Sequence, residues 1–217
     1  SLPLAKENLI TVRHQLTMTT GLDDGVPDVD CTLPSCMIYK ADAGTRWAYH
    51  NAPYTILDKV VETASGQSYN AYFQVKIKDK IGMNGLWVPS GYNNVYYSTA
   101  RSMARFGLLM LNKGKWNTTS VLSDSNYFNA QVSSSQTLNN SYGYLTWLNG
   151  KSSHMLPGTQ FIFNGKLILN APDDMYAALG KNDQKMYVVP SQKLVVIRMG
   201  NDAGNVQLAV SSFDSEL

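Results

Sequence analysis

GTRWAYHNAPYTILDKVVETASG, residues 44–66, joins a short polar motif to a helix whose start and end are both marked in the sequence. Pro53 fits the first turn of a helix, where a missing backbone N–H loses no hydrogen bond. Gly66 fits the position just after a helix, where the chain often turns left-handed. Between them, apolar residues follow the helical period at Ile56, Leu57, Val60, Val61 and Ala64. The stretch therefore predicts a loop that enters an amphipathic helix at Pro53.

Tyr49 and Asn51 stand one residue apart in the loop before this helix. In an extended backbone, residues i and i+2 share a face, so both side chains can point into one cleft while His50 points into the body. A tyrosine hydroxyl can transfer a proton when a nearby cation lowers its pKa. An asparagine amide can donate hydrogen bonds to a substrate carbonyl. The same residue types are also compatible with ordinary core packing, so both interpretations stay open.

Helical patterns with recognisable caps occupy most of the first two-thirds of the chain. Serine and threonine favour the N-cap, because their side-chain oxygen accepts a free backbone N–H. Three more helices are predicted on this basis, after Thr11 (ending at Gly21), after Ser68, and after Ser98 (ending at Gly114). SDSNYFNAQV, residues 123–132, gives a weaker helical pattern. We therefore predict a mainly helical region over residues 1–140.

The period changes after Tyr142, where short apolar runs are separated by turn residues. YGYLTWL (142–148) alternates as a strand does, and FIFNGKLIL (161–169) has two apolar runs around Asn-Gly, a hairpin signal. Three more strands are predicted, at DMYAALG (174–180), QKMYVVP (184–190) and KLVVIRMG (193–200). The last residues fit the start of a helix. Helices followed by antiparallel strands predict an α+β fold, with the strands in residues 141–217.

The composition limits the classes of partner that we expect. Only 16% of the residues are charged, and the formal net charge of +2 is too small to indicate a nucleic-acid partner. No apolar run is long enough to span a membrane. A polar but weakly charged surface is common in proteins outside the cytoplasm.

Cys31 and Cys36 are the two cysteines, and four residues separate them. A loop of this length can be closed by a disulfide, which would indicate an oxidising compartment, and two free thiols are the alternative. Two thiolates without nearby histidines do not complete a zinc shell. The three histidines lie far apart in the sequence, so we do not expect a metal site. We expect no other cofactor either.

Three segments occur in an order that resembles the penicillin-recognising serine hydrolases. They are ITVRHQLTMTTGL (10–22), GTRWAYHN with the helix that follows it, and IGMNGLW (81–87). This family includes class C β-lactamases, D-Ala-D-Ala peptidases and related esterases and amidases. The resemblance extends from about residue 10 to residue 202, and it implies a β-lactamase/transpeptidase-like fold whose N-terminal part is missing here.

The resemblance implies catalytic roles for the polar motif. The family carries a Tyr-x-Asn motif, which Tyr49-His50-Asn51 matches. By the resemblance, Tyr49 shuttles a proton toward the leaving group and Asn51 orients the substrate carbonyl. The substrate would be a small-molecule or peptide-like acyl compound.

The family's third motif is a Lys/His-Thr/Ser-Gly triplet on a strand beside the nucleophile. By the resemblance it falls at Ala178-Leu179-Gly180, where only the glycine matches. The oxyanion donor of the family is the backbone N–H after that glycine, which here belongs to Lys181. Strand alternation directs the Lys181 side chain away from the face of Ala178, so it does not replace the lost cation. The resemblance thus favours a neutral ester or amide over an anionic β-lactam or peptide terminus, and an ordinary hairpin strand is the alternative.

The family's first motif, Ser-x-x-Lys, supplies a nucleophile and its base on one helix. No lysine of this chain has a serine three residues before it. Three interpretations stay open: a fragment that lacks the N-terminal strands and the nucleophile helix, a second chain that supplies them, and a short homologue that only binds.

The fragment interpretation has two consequences. This chain alone would not turn over substrate, and an uncovered apolar face would require either self-association or the missing N-terminal piece. By the resemblance we expect a periplasmic or secreted protein of the bacterial envelope.

Overall fold

The computed structural model describes residues 4–201, so the predicted helix at the C-terminus lies outside the described residues. The chain divides into two units. The first contains the residues up to Phe73 together with Leu86–Tyr97 and Met155–Ile162. The second contains Gln74–Gly85, Ser98–His154 and the residues from Phe163 onward. The boundary between a helical region, 1–140, and a strand region, 141–217, stays a prediction.

The α-helices of the first unit are all short. They are α1 Leu4–Glu7, α2 Val12–Leu16, α3 Asn51–Thr55, α4 Leu57–Ser65 and α5 Tyr69–Phe73. Thr11 caps α2 as predicted, since its side chain accepts the N–H of His14. The helix ends at Leu16 instead of continuing to Gly21, because Met18 adopts a left-handed backbone with φ 59°.

The helix after the polar motif starts earlier than predicted. His50 is the extended N-cap residue of α3, so the helix begins at Asn51 and Pro53 is its third residue. Ile56 separates α3 from α4. Gly66 ends α4 with φ 68°, and Ser68 caps α5 by accepting the N–H of Ala71, both as predicted.

A β-hairpin that the sequence patterns did not predict completes the first unit. It consists of β1 Gly85–Ser90 and β2 Asn93–Ser98. The Asn70 side chain accepts the Trp87 N–H at 2.9 Å and donates to the Trp87 carbonyl at 2.8 Å, as a neighbouring strand would. The rings of Tyr69, Phe73, Trp87 and Tyr96 pack on one face of the hairpin. The other face exposes Leu86, Val88, Val95 and Tyr97.

A four-stranded antiparallel sheet organises the second unit. Its strands are β5 Trp147–Leu148, β8 Tyr176–Gly180, β9 Gln184–Val189 and β10 Leu194–Arg198, in the order β10-β9-β8-β5. The last three strands lie where the sequence predicted them. Two short pairs lie outside this sheet, β3 Lys115–Trp116 with β4 Thr119–Ser120, and β6 Ser153–His154 with β7 Phe163–Asn164.

Two strand predictions are wrong. In YGYLTWL, Leu145 has a left-handed backbone with φ 47°, and only β5 is a strand. FIFNGKLIL does not fold back on itself, since β7 pairs with β6. The Asn149 side chain accepts the Ile168 N–H at 2.9 Å and donates to the Ile168 carbonyl at 3.1 Å. In the predicted second strand, the backbone N–H and carbonyl of Ile168 therefore bond to a side chain instead of a neighbouring strand.

The described residues of the second unit form three α-helices, α6 Asp79–Ile81, α7 Ala100–Leu111 and α8 Ser125–Gln131, and a π-helix, Gln74–Lys78, directly precedes α6. The cap of α7 is Thr99, whose side chain accepts the Ser102 N–H, instead of the predicted Ser98. The Ser98 hydroxyl donates to the Asn84 carbonyl instead. The core of the unit is Met110, Phe128, Leu148, Tyr176, Met186 and Val188. Within residues 4–201, no helix is both long and apolar enough to cross a membrane.

Gly107 lets α7 approach the sheet closely. A Cβ atom at this position would lie 2.4 Å from Cγ1 of Val195 on β10, far inside van der Waals contact. The backbone φ of Gly107 is ordinary, so space alone excludes a side chain.

Gly107→Ala tests this close packing. Helix propensity alone would stabilise the variant by about 1 kcal/mol. The collision with Val195 instead predicts a loss of about 1–3 kcal/mol in the free energy of unfolding. In a Val195→Ala background the loss should vanish or reverse, because the colliding methyl group is gone. Urea unfolding of the four proteins measures this coupling, and strictly additive effects would contradict it.

Candidate active site

Alternating burial fixes the direction of the two polar side chains. Ala48, His50 and Ala52 are 7%, 3% and 0% exposed, whereas Tyr49 and Asn51 between them are only half-buried. His50 is extended, with φ −131° and ψ 119°, so its two neighbours emerge on the same side of the backbone. The structure thus brings Tyr49 and Asn51 together at the N-terminus of α3, with His50 pointing into the first unit.

The Tyr49 phenol is held in its neutral form. Burial raises the pKa of Tyr49 well above its ordinary value, and the charge that Tyr54 can carry raises this pKa further. The two rings meet edge to face, with centroids 6.5 Å apart and an interplanar angle of 69°. A neutral phenol can donate a hydrogen bond, but it accepts a proton only as phenolate. Tyr49 therefore needs a cation beside it before it can work as a base.

The Asn51 amide is oriented by two side chains. Its Nδ2 donates to Oδ1 of Asp30 at 2.7 Å, and its Oδ1 accepts from the Tyr54 hydroxyl at 3.4 Å. Sequence reasoning missed both partners. Asp30 lies in DDGVPDVD (23–30), where several carboxylates give no signal for one over another. Tyr54 lies three residues after Asn51, a helical spacing that could have indicated the contact.

The loop that carries Asp30 is tied to the start of α3. The Ala52 N–H donates to the Val29 carbonyl at 3.1 Å. Cys31 and Cys36 form a disulfide directly after Asp30. The Asp30 N–H donates to Oδ1 of Asp28 at 3.0 Å. Asp30 is thus braced on both sides in the sequence.

Charged groups surround His50 inside the first unit. Arg46 and Asp24 form a largely buried ion pair at 2.6 Å. Burial lowers the pKa of His50, an effect that the negative charges of Asp24 and Asp23 partly oppose. Nδ1 of His50 has no hydrogen-bond partner among the described residues. His50 therefore has a structural role, because its neutral, buried imidazole packs inside the first unit and anchors the backbone between Tyr49 and Asn51.

The predicted third motif lies at the end of β8 in the second unit. Ala178 pairs with Met186 and Gly180 with Gln184. Ala178 and Gly180 are exposed, and Leu179 is half-buried. Neither Ala178 nor Leu179 offers a charge or a hydroxyl, so at these two positions only backbone groups can bind an oxyanion.

Lys181 lies outside the strand. Strand alternation therefore does not determine the direction of its side chain, contrary to the prediction. β8 ends at Gly180, and Lys181 opens a short turn, Lys181–Asp183. Asn182 and Asp183 have left-handed backbones with φ 58° and 59°, a conformation that Asn and Asp tolerate better than most residues. The exposed Lys181 side chain is therefore directed by a turn and not by the pleat.

The described part of the chain contains no group of three or more His, Cys, Asp or Glu side chains that could hold a metal ion. Tyr49 and Asn51 lie in the first unit, and Ala178, Leu179, Gly180 and Lys181 lie in the second.

Comparisons with known proteins identify related folds. A family model described as Beta-lactamase matches residues 3–214. No curated protein sequence matches the chain. A structure from Bacillus anthracis, provisionally described as a 6-aminohexanoate-dimer hydrolase, is similar with a TM-score of 0.67 and 19% identity, over 92% of this chain and 57% of that one. A β-lactamase from Mycobacterium bovis gives a TM-score of 0.64 and 18% identity, over 96% and 72%.

A third similar structure is the octameric penicillin-binding protein homologue from Pyrococcus abyssi. Its TM-score is 0.57 and its identity 18%, over 93% of this chain and 54% of that one. The chain thus spans between 54% and 72% of the length of these three structures.

Tyr49→Phe tests the burial of the phenol through alkaline unfolding. A tyrosine whose pKa is raised in the folded state contributes stability that is complete below pH 10 and is lost as the pH rises toward the folded-state pKa. Above pH 10, the free energy of unfolding of Tyr49→Phe should therefore fall less steeply than that of the wild type, by about 1.4 kcal/mol per pH unit. Urea unfolding at pH 8, 10 and 11 measures the two slopes. Parallel decline of both proteins would show that the Tyr49 phenol is not buried.

Proposed function

The chain belongs to the beta-lactamase family, and we propose that it is the C-terminal part of a serine hydrolase that works through an acyl-enzyme. The family match and the similar structures confirm the α+β, β-lactamase/transpeptidase-like fold. The observation that carries the proposal is the Tyr49-His50-Asn51 segment, in which a buried, extended His50 turns both neighbours to one side.

The proposed reaction begins with attack of a serine on an acyl carbonyl. Ser-x-x-Lys does not occur in these 217 residues, so the serine and its lysine come from residues outside them. The ammonium group of that lysine would supply the cation that Tyr49 requires. Tyr49 would then carry the serine proton to the leaving group, and water would later release the acyl group.

The family resemblance implies two hydrogen-bond donors, one side-chain group in the first unit and one backbone group in the second. Asn51 would hold the substrate carbonyl through its Nδ2 group. The Lys181 N–H, directly after Gly180, would donate to the developing oxyanion. Ala178 and Leu179 supply no cation for a substrate carboxylate, which supports a neutral ester or amide as the substrate.

A binding protein without catalysis is the second candidate. The absence of Ser-x-x-Lys from the 217 residues and the raised pKa of Tyr49, caused by its burial, both favour it. In this interpretation Tyr49 and Asn51 are remnants of a catalytic ancestor.

Hydrolysis by the product of the complete coding sequence separates the two candidates. Sequencing the DNA upstream of Ser1 should reveal an in-frame Ser-x-x-Lys. The full product should then cleave a p-nitrophenyl ester or a p-nitroanilide, and Tyr49→Phe should lower kcat by roughly 10²–10⁴-fold. Tyr92→Phe, which alters an exposed hairpin ring, is the matched control. No cleavage of any ester, amide or β-lactam would reject the enzyme and leave the binding protein.

We also propose that exposed apolar surface is covered in the intact protein, either by the N-terminal piece or by a second copy. The hairpin of the first unit exposes Leu86, Val88, Val95 and Tyr97 on one face. In the second unit, β10 pairs with β9 alone among the described strands. The Pyrococcus abyssi homologue is described as octameric, which supports self-association.

Sedimentation of the 217-residue chain tests this covering. The apolar hairpin face should produce species heavier than one chain at micromolar concentration, and Val95→Lys should shift them toward the monomer because it places a charge in that face. Val75→Lys is the control, since Val75 is exposed but lies outside the hairpin. A monomer at every concentration would reject self-association.

The disulfide supports the proposal of a periplasmic or secreted location, because disulfides persist in oxidising compartments. Free Cys31 and Cys36 thiols in protein isolated from its own cells would contradict this location.

A further inference from the structure

The Asn51 amide can serve a substrate only in one of its two orientations. An asparagine side chain has an acceptor oxygen on one side and a donor NH₂ group on the other, and rotation by half a turn exchanges them. A substrate carbonyl requires the donor group. Whatever fixes the rotation of Asn51 therefore determines whether the side chain binds or repels that carbonyl.

Asp30 fixes this rotation more strongly than a neutral partner could. An ionised carboxylate only accepts hydrogen bonds, so it selects Nδ2 of Asn51, at 2.7 Å, and repels Oδ1. Hydrogen bonds to charged groups are shorter and stronger than neutral ones. The Tyr54 hydroxyl, 3.4 Å from Oδ1, favours the same orientation from the other side.

One donor of Asn51 stays available in this arrangement. The NH₂ group carries two N–H bonds, and Asp30 accepts one of them. Among the described residues, Asn51 makes no side-chain hydrogen bonds beyond those to Asp30 and Tyr54. The second N–H can therefore reach a ligand without breaking the contact that orients it.

The loop around Asp30 is built to keep the carboxylate in place. The Ala52 N–H ties Val29 to α3 at 3.1 Å, and the Cys31–Cys36 disulfide closes the chain directly after Asp30. Both constraints act on residues adjacent to Asp30, so they fix the backbone that carries the carboxylate. The short Asp30 side chain leaves little further freedom to its contact with Asn51.

We infer that Asp30 is a positioning residue: its carboxylate holds the Asn51 amide with one N–H directed to an acyl substrate. This inference rests on the proposed function. Asp30 does not touch the substrate in this role, and it acts through Asn51 alone. Its removal frees the amide to rotate, so that Asn51 presents its oxygen to the substrate carbonyl for part of the time.

Nuclear magnetic resonance of the 217-residue chain, labelled with ¹⁵N, measures the orientation directly. The two side-chain amide protons of Asn51, identified by their loss in Asn51→Ala, should be widely separated because one is bonded to a carboxylate. Asp30→Ala should bring them together. Asp30→Asn should keep part of the separation, since it retains an acceptor oxygen. Asp79→Ala is the matched control, because it also removes an aspartate, here an exposed one, but lies outside the loop that carries Asp30.

Kinetics of the complete gene product measure the consequence for an ester substrate. Asp30→Ala should lower kcat/KM by about tenfold to hundredfold, as expected for loss of a charge-assisted hydrogen bond. Asp30→Asn should recover part of that loss, and Asp79→Ala should leave kcat/KM within about twofold. Thermal unfolding of each variant shows whether the chain still folds.

Three outcomes would overturn the inference. Unchanged amide resonances in Asp30→Ala would show that the carboxylate does not hold Asn51. Equal losses in Asp30→Ala and Asp79→Ala would assign the effect to the loss of a negative charge and not to the contact with Asn51. An active wild-type protein with either result leaves the proposed function intact, whereas an inactive wild type rejects the proposed function and the positioning role together.

Discussion

The alternating burial of Ala48, His50 and Ala52 is the constraint on which the candidate site depends. Because these three side chains are packed into the first unit, the intervening Tyr49 and Asn51 side chains point to the opposite side of the backbone. The backbone supports this arrangement from both ends. The Ala48 N–H donates to the Met18 carbonyl and the Ala52 N–H to the Val29 carbonyl. Two polar side chains are thus presented by a segment that is itself fixed by apolar packing.

Different interactions act on the two presented side chains. Asn51 has charged and neutral partners that fix its rotation, so it is preorganised within this chain. The Tyr49 ring contacts the Tyr54 ring. Burial raises the pKa of Tyr49, and the charge that Tyr54 can carry raises it further, so the hydroxyl stays protonated. An oriented Asn51 beside a protonated Tyr49 is expected in a hydrolase whose catalytic lysine lies on another segment. It is also what a binding protein would keep.

The sequence predicted those features that short-range contacts determine. The caps at Thr11 and Ser68, the stop at Gly66, and the strands β8, β9 and β10 all depend on residues close to them in the chain. Two of the errors come from distant side chains that replace a strand partner. Asn70 holds Trp87 in an unpredicted hairpin, and Asn149 binds Ile168 where a strand was predicted. The Asp30–Asn51 contact joins positions 21 residues apart, and no local pattern signals it.

Electrostatics in the two units can be compared, one unit at a time, with the neutral substrate proposed above. In the first unit, a carboxylate lies 2.7 Å from the amide that would hold the substrate carbonyl, and it would repel an anionic group placed beside that amide. In the second unit, Ala178 and Leu179 stand where the family resemblance places a cation and a hydroxyl. Within the first unit, the proposed neutral ester or amide avoids this repulsion, because its carbonyl carries no charge and can accept from the Asn51 amide. Within the second unit, the absence of the motif's cation and hydroxyl removes two groups that would hold a carboxylate, although the exposed Lys181 follows the strand directly.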